Sequence, residues 1–279
     1  MGYAILVMDM SLFEFLIFVV MGCGVGFLGG LFGIGGGFIL VPILIFSYEH
    51  SGVSPSVLTH MAIGTSLFVI LFLSLSSSYQ QSRQKNIDWR AVFVIGLSSA
   101  FSAFATTRLA AELSGQSLRI AFTVLVFFVA IRMLTEGELR AQRRLELPSK
   151  LSPIRLLGVG LTTGIGSALA GIGGGVILIP MMYYFLNMPL KLVVGTSSAT
   201  IIITACSSVV GYAMNGMGRA HLPPWSFGFI DLQRGIALAI GSILLARVGA
   251  YVSFHIHPYR LRKLFALFII LIAIYILVN

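Results

Sequence analysis

Two short runs could put bare backbone amides to chemical use. They are Gly33-Ile34-Gly35-Gly36-Gly37 and, 138 residues on, Gly171-Ile172-Gly173-Gly174-Gly175. Four glycines in five positions hold a helix poorly, since each costs about 1 kcal/mol relative to alanine. Each run lies inside a long apolar stretch with no Lys, Arg, Asp or Glu near it, and a proline follows each at the same distance, Pro42 and Pro180. In hydrocarbon, the polar groups freed by such a break must find partners within the protein or line a wet cavity. Amides that open at a helix N-terminus favour an anion. Two membrane helices broken at matching places in two halves are the sequence pattern of a transporter's binding site. Close packing through small residues is the simpler account of one such cluster, but packing does not call for four glycines in five. Nucleotide binding fits poorly. No Gly-Lys-Ser/Thr follows either run, and no strand–helix unit with a following acidic residue frames them.

Hydroxyl groups repeat as well. Gly64-Thr65-Ser66 returns 131 residues on as Gly195-Thr196-Ser197, and Ser76-Ser77 returns at the same offset as Ser207-Ser208. Such hydroxyls serve either as donors to an anion or as small polar packing residues. Arg247, in Leu244-Leu245-Ala246-Arg247-Val248-Gly249, is the deepest charge, with Arg108 as its nearest first-half counterpart. Each arginine either attracts an anion beside the path or snorkels to the nearest interface. The nine carboxylates and five histidines all fall in loops or near the ends of apolar runs. That argues against a buried proton relay or cation site, and against an intramembrane hydrolase, which needs a nucleophile with a base in reach. Cys23 and Cys206 lie in apolar runs, imply neither a disulfide framework nor a zinc site, and read as small buried apolar residues. The expected substrate site therefore comprises Gly33, Gly35, Gly36, Gly37, Thr65, Ser66, Ser76, Ser77, Gly171, Gly173, Gly174, Gly175, Thr196, Ser197, Ser207 and Ser208, with Arg108 and Arg247. No catalytic residue, metal or cofactor is expected.

The elements that position these groups are membrane helices. Of 279 residues, 57% are hydrophobic and 10% charged, with mean hydropathy +0.99, and apolar runs of about 20 residues recur along the chain. Met1 to Phe13 carries no Lys or Arg, so the basic region of a signal peptide is missing and the N-terminus is expected to be retained. Segment a (about 11–48) holds the first glycine run and is too long for one straight crossing. Segments b (58–82), c (91–111) and d (118–134) follow. The series restarts as a′ (156–186), b′ (192–213), c′ after Asp231 and d′ near Leu261-Arg262. The chain reads as an internal duplication. Residues 1–136 form a first membrane repeat, 137–155 a basic cytoplasmic linker and 156–279 a second repeat, each of about five helical segments with helices broken at the Gly-rich motifs. The fold class is an all-α integral membrane protein.

These residues resemble the sulfite exporter TauE/SafE family, also called the toluene-sulfonate uptake permease family. The resemblance covers nearly the whole chain and is carried by Gly29-Gly30 through Pro42, the second glycine run through Pro180, Ile63-Gly64-Thr65-Ser66 and Val194-Gly195-Thr196-Ser197. It implies a multi-pass protein of a bacterial or archaeal plasma (inner) membrane that moves a small sulfur-containing anion such as sulfite or an organosulfonate like sulfoacetate. Export by alternating access is the leading reading. Uptake of a related oxyanion is the alternative within transport, and a membrane enzyme or assembly protein is the alternative of another class. The expected partners are the anion and membrane lipid, with no nucleic acid, and a homodimer is one option for assembly.

Loop charge decides whether the repeats are parallel or inverted. The formal net charge of +9 is clustered in loops. If segments a and a′ each return to their starting side, then Arg83, Lys85, Arg90, the linker, Lys191, Arg260, Arg262 and Lys263 all lie inside, as the positive-inside rule asks. If each crosses once, the loop at 260–263 falls outside. The first arrangement makes the repeats inverted and puts both termini outside. With Cys23 and Cys206 replaced, an impermeant thiol reagent added to intact cells should modify a cysteine at position 49 and spare one at 149. Modification at 149 would exclude this topology.

Overall fold

The computed structural model describes residues 10–118 and 151–256, with residues 120, 124, 264 and 267. Segments d and d′, apart from these few positions, and residues 137–150 of the linker lie outside the described residues. Eight helices lie wholly within the described residues: α1 (Leu12–Phe32), α2 (Gly37–His50), α3 (Pro55–Arg83), α4 (Trp89–Glu112), α5 (Pro153–Ala170), α6 (Gly175–Phe185), α7 (Leu190–Gly216) and α8 (Leu232–His255). Six are long and apolar enough to cross a membrane; α2 and α6 are not. The protein is an all-α integral membrane protein. One small hairpin, β1 (Ser226–Phe227) against β2 (Ile230–Asp231), sits in the α7–α8 connection.

Local sequence sets the helix ends. Ser11 and Glu14 form a capping box at the start of α1. Asp88 and Asp231 cap α4 and α8 by accepting from backbone amides of the first turn. α1 and α5 both stop on a left-handed glycine, Gly33 at φ +70° and Gly171 at φ +67°. α2 and α6 both start after a left-handed glycine, Gly36 at φ +73° and Gly174 at φ +83°. The expected breaks are there, with the same backbone shape in both halves.

Segment a does return to its starting side. Phe18 in the first half of α1 and Tyr48 near the end of α2 both pack on the Arg234 guanidinium, at 5.8 and 5.0 Å. The chain therefore turns back at the glycines, and Gly36 lies beside Val25 of α1. In the second half Gly174 lies beside Thr163 of α5 in the same way.

The equivalent helices α3 and α7 run antiparallel, as inverted repeats require. Gly64, near the start of α3, abuts Phe229 just beyond α7, while Gly195, near the start of α7, abuts Asn86 just beyond α3. The halves also exchange neighbours. α1 packs on α8 of the second half, and α5 packs on α4 of the first. Both pairs are parallel and very close: Gly22, Gly26 and Gly30 of α1 meet the backbone of Leu238, Ser242 and Ala246, while Gly160 and Gly164 of α5 meet Ile95 and Ser99. Small residues let membrane helices approach this closely. Both hydrophobic cores consequently mix the two halves.

This geometry predicts opposite outcomes for neighbouring glycines. A Cβ on Gly26 would stand 2.3 Å from Ser242 O and one on Gly164 2.1 Å from Ser99 O, whereas Gly24 and Gly158 have nothing within 4 Å. Gly26→Ala and Gly164→Ala should destabilise the protein by about 1–3 kcal/mol. Gly24→Ala and Gly158→Ala should be neutral or stabilise by up to about 1 kcal/mol through helix propensity. Thermal unfolding in detergent separates the two pairs.

Candidate functional site

The two glycine breaks meet at the centre of the protein. A Cβ on Gly37 would stand 2.5 Å from Ile172 Cα, and one on Gly175 would stand 2.4 Å from Ile34 Cα. Ile34 and Ile172 are fully buried. Each short helix thus starts against the opposite break. Ile70 of α3 and Ile201 of α7, 131 residues apart, lie beside both Gly35 and Gly173.

A broken helix frees carbonyls on one side and amides on the other. The carbonyl side is closed from the opposite half. Ser66 Oγ donates to Gly171 O at 2.6 Å, and Ser197 Oγ donates to Gly33 O at 2.6 Å. Each hydroxyl is also shared with its own helix, Ser66 with Ile63 O and Ser197 with Val194 O. The amide side stays open. The amides of Gly35, Gly36, Gly37, Gly173, Gly174 and Gly175 donate to no other described residue. Two helix N-termini with open amides, facing each other in a protein core, make a positive potential where charge is weakly screened.

The remaining hydroxyls hold helices together. Thr65 Oγ1 accepts from the Asp231 amide at 2.9 Å and Thr196 Oγ1 from the Asp88 amide at 3.0 Å, again a symmetric pair. Ser76 donates to Ile243 O on α8, and Ser207 to Ala100 O on α4. Ser77 meets Ser198 at 3.3 Å, whereas Ser208 turns to Thr204 O of its own helix. Of the expected site residues the structure brings the eight glycines together, with Ser66 and Ser197 supporting them. Thr65 and Thr196 lie toward opposite ends of the α3–α7 pair.

Arg108 and Arg247 stand apart from this centre. Both are exposed on the outside of the helix bundle, and the Arg247 guanidinium lies 5.1 Å from the Tyr79 ring. They are not equivalent positions either. Asp88 and Asp231, 143 residues apart, fix the register of α4 against α8, which sets Arg247 opposite Phe104 and Arg108 opposite Tyr251. The two arginines differ by about one helical turn.

These observations join a doubled Gly-rich break, inverted repeats and, among the described residues, six helices long and apolar enough to span a membrane. The model of the family described as sulfite exporter TauE/SafE matches residues 18–276. The chain belongs to the TauE/SafE family. Its relatives include a probable membrane transporter protein of Methanocaldococcus jannaschii, 32% identical over 90% of this chain and 92% of the relative. A probable membrane transporter protein of Haemophilus influenzae is 29% identical over 93% of this chain and 96% of its own. No solved structure matches. This TauE/SafE protein is a multi-pass plasma-membrane protein.

Sequence reasoning missed a polar cluster at one end. Asp231 is buried, pairs with Arg234 at 2.8 Å, and Arg234 also donates to Ser51 Oγ at 2.7 Å. Tyr48, fully buried, shares a 3.1 Å hydrogen bond with Thr65. The signal was present as an Asp-x-x-Arg spacing at the start of an apolar run.

The serine pair predicts matched losses. Ser66→Ala and Ser197→Ala each leave a buried carbonyl with one partner fewer, and each should lower stability by about 1–3 kcal/mol. Unfolding of the purified variants measures this; a neutral result for both would show that the breaks do not depend on these bonds.

Proposed function

We infer that this TauE/SafE protein is a secondary membrane transporter that exports a small sulfur oxyanion, sulfite or an organosulfonate such as sulfoacetate. The single observation that carries the reading is the meeting of two helix N-termini whose amides are open, in a chain whose family is described by sulfite export. The names of the relatives in Methanocaldococcus jannaschii and Haemophilus influenzae support transport as the general activity. In this reading the anion sits between the breaks, held by the amides of Gly35–Gly37 and Gly173–Gly175. Rocking of one set of helices against the other exposes it to each side in turn. In this reading the hydroxyls of Ser66 and Ser197 hold the breaks in place, and those of Thr65 and Thr196 hold the starts of α8 and α4. Arg108 and Arg247, on the outer surface, are left to the membrane interface.

Export of an anion from a cell that is negative inside is favoured by about 2.3 kcal/mol per charge per 100 mV, a gradient of roughly fiftyfold. The voltage alone suffices to drive it. Uptake would need a coupled ion. An enzyme would need an acid–base pair beside a nucleophile, whereas the groups at the breaks are amides, hydroxyls and isoleucines.

Proteoliposomes loaded with labelled sulfite or sulfoacetate should release the anion faster when the interior is made negative, and the direction of net flux should follow the imposed voltage. Gly36→Ala and Gly174→Ala place a side chain on a left-handed backbone beside the open amides, and each should reduce flux at least tenfold. Wild-type flux unaffected by voltage, or absent for both anions, would overturn the proposal.

A further inference from the structure

Beside the open amides of each break lies one buried hydroxyl that makes no hydrogen bond. Ser74 of α3 is 1% exposed and Ser167 of α5 is 0% exposed, and neither Oγ has a partner. Ser74 Oγ lies 3.6 Å from the place a Cβ on Gly35 would occupy, and Ser167 Cβ lies 3.5 Å from the same place on Gly174. A hydroxyl buried without a partner destabilises a protein. The surrounding hydroxyls show the contrast: Ser66, Ser76, Ser197 and Ser207 all reach a carbonyl across a helix interface.

These two hydroxyls also depart from the repeat. In the register that pairs Thr65 with Thr196, Ser74 corresponds to Ala205; in the register that pairs Gly33 with Gly171, Ser167 corresponds to Gly29. The fold therefore builds the same break once with and once without each hydroxyl. Neither is needed to form it. Yet each break ends up with one, delivered by a different helix.

We propose that Ser74 and Ser167 are ligand hydroxyls of a single site between the breaks, which takes a small oxyanion. Each hydroxyl donates to an oxygen of the ion alongside the open amides, Ser74 at the α2 start and Ser167 at the α6 start. The inference rests on the anion-carrying role proposed above and assigns its specificity. The amides and the two hydroxyls it gathers can all donate, which suits a ligand made of acceptor oxygens. The two breaks approach closely here: Ile70 Cγ2 lies 2.8 Å from the Cβ place of Gly35 and of Gly173 alike, so those two places are no more than twice that distance apart, with Ser74 beside Gly35 and Ser167 beside Gly174, the next residue. Donors aimed at an ionised oxygen form the stronger class of hydrogen bond. Since the hydroxyls come from unlike positions, the two sides of the ion are held differently.

The test uses the full chain purified in detergent, as wild type, Ser74→Ala and Ser167→Ala. Sulfite and sulfoacetate are titrated separately, with chloride as the salt control, and thermal unfolding is recorded with and without ligand. Each variant should unfold no lower than wild type without ligand, because an unpaired hydroxyl has been removed. Each should raise the Kd for the oxyanion about tenfold. Which of the two anions binds distinguishes an inorganic from an organic source of the oxyanion group. Wild-type binding with unchanged Kd in both variants would overturn this inference and leave the anion site standing. A variant that loses ligand-free stability assigns the hydroxyl a structural role and overturns it as well. Failure of wild type to bind either anion would overturn the transport reading together with the inference.

Discussion

In hydrocarbon a backbone carbonyl or amide has no water to turn to, so a helix break must be completed by other parts of the protein. The structure depends on how this is met. The last carbonyl before each break is closed by a serine from the opposite half: Ser197 for Gly33 and Ser66 for Gly171. Each half therefore completes the other. The same exchange governs the outer helices, where α1 lies on α8 and α5 on α4 through glycine contacts too close for any side chain. Among the described residues neither repeat has a core of its own to close on, since both hydrophobic clusters draw on both halves. The duplication seen in the chain is a duplication of parts, and the folding unit is the interlocked pair.

Much of this was legible in the residues. The glycine runs, the paired prolines and the repeated Gly-Thr-Ser gave the breaks and the repeats, because glycine density and fixed offsets are local signals. The return of segment a followed from loop charge, and the packing of Phe18 and Tyr48 on Arg234 agrees with it. What was not legible is long-range. The role of Thr65 and Thr196 looked like ligand binding from type and spacing alone; the structure shows them accepting from Asp231 and Asp88 at opposite ends. Arg247 stood out as a charge in an apolar run, but a linear pattern does not say which way a helix face points, and here it points outward over Tyr79. Ser74, part of a serine run in segment b, and Ser167 were not singled out as ligands for the same reason: only packing reveals that a hydroxyl has no partner.

The two ends of the molecule are built unequally. The α3–α4 connection is the short run 84–88, while the α7–α8 connection, 217–231, folds a small hairpin and buries Phe229 between α3 and α7. At that end Thr65, Tyr48, Asp231, Arg234 and Ser51 are joined in one chain of polar contacts. At the other end Thr196 still holds the Asp88 amide, but Leu186 stands in the register of Tyr48 and Ala91 in that of Arg234. The repeat supplies the threonine clasp twice and the ion pair once.

For a carrier that opens alternately to either side, this inequality bears on which state is populated. Perfectly symmetric repeats would make the two open states equivalent by a two-fold rotation and equal in free energy, and only the membrane voltage and the ligand would separate them. The contacts of Arg234 with Ser51 and with the buried Tyr48 ring at one end would add a free-energy difference present where that end is closed and absent where it is open. A difference of about 1.4 kcal/mol is enough to shift the two populations tenfold. Asp231 and Arg234 lie one turn apart at the start of α8, so opening that end would part Arg234 from Ser51 and Tyr48 while the ion pair stays together. In a carrier of this kind the polar cluster would bias the resting protein toward opening at the other end.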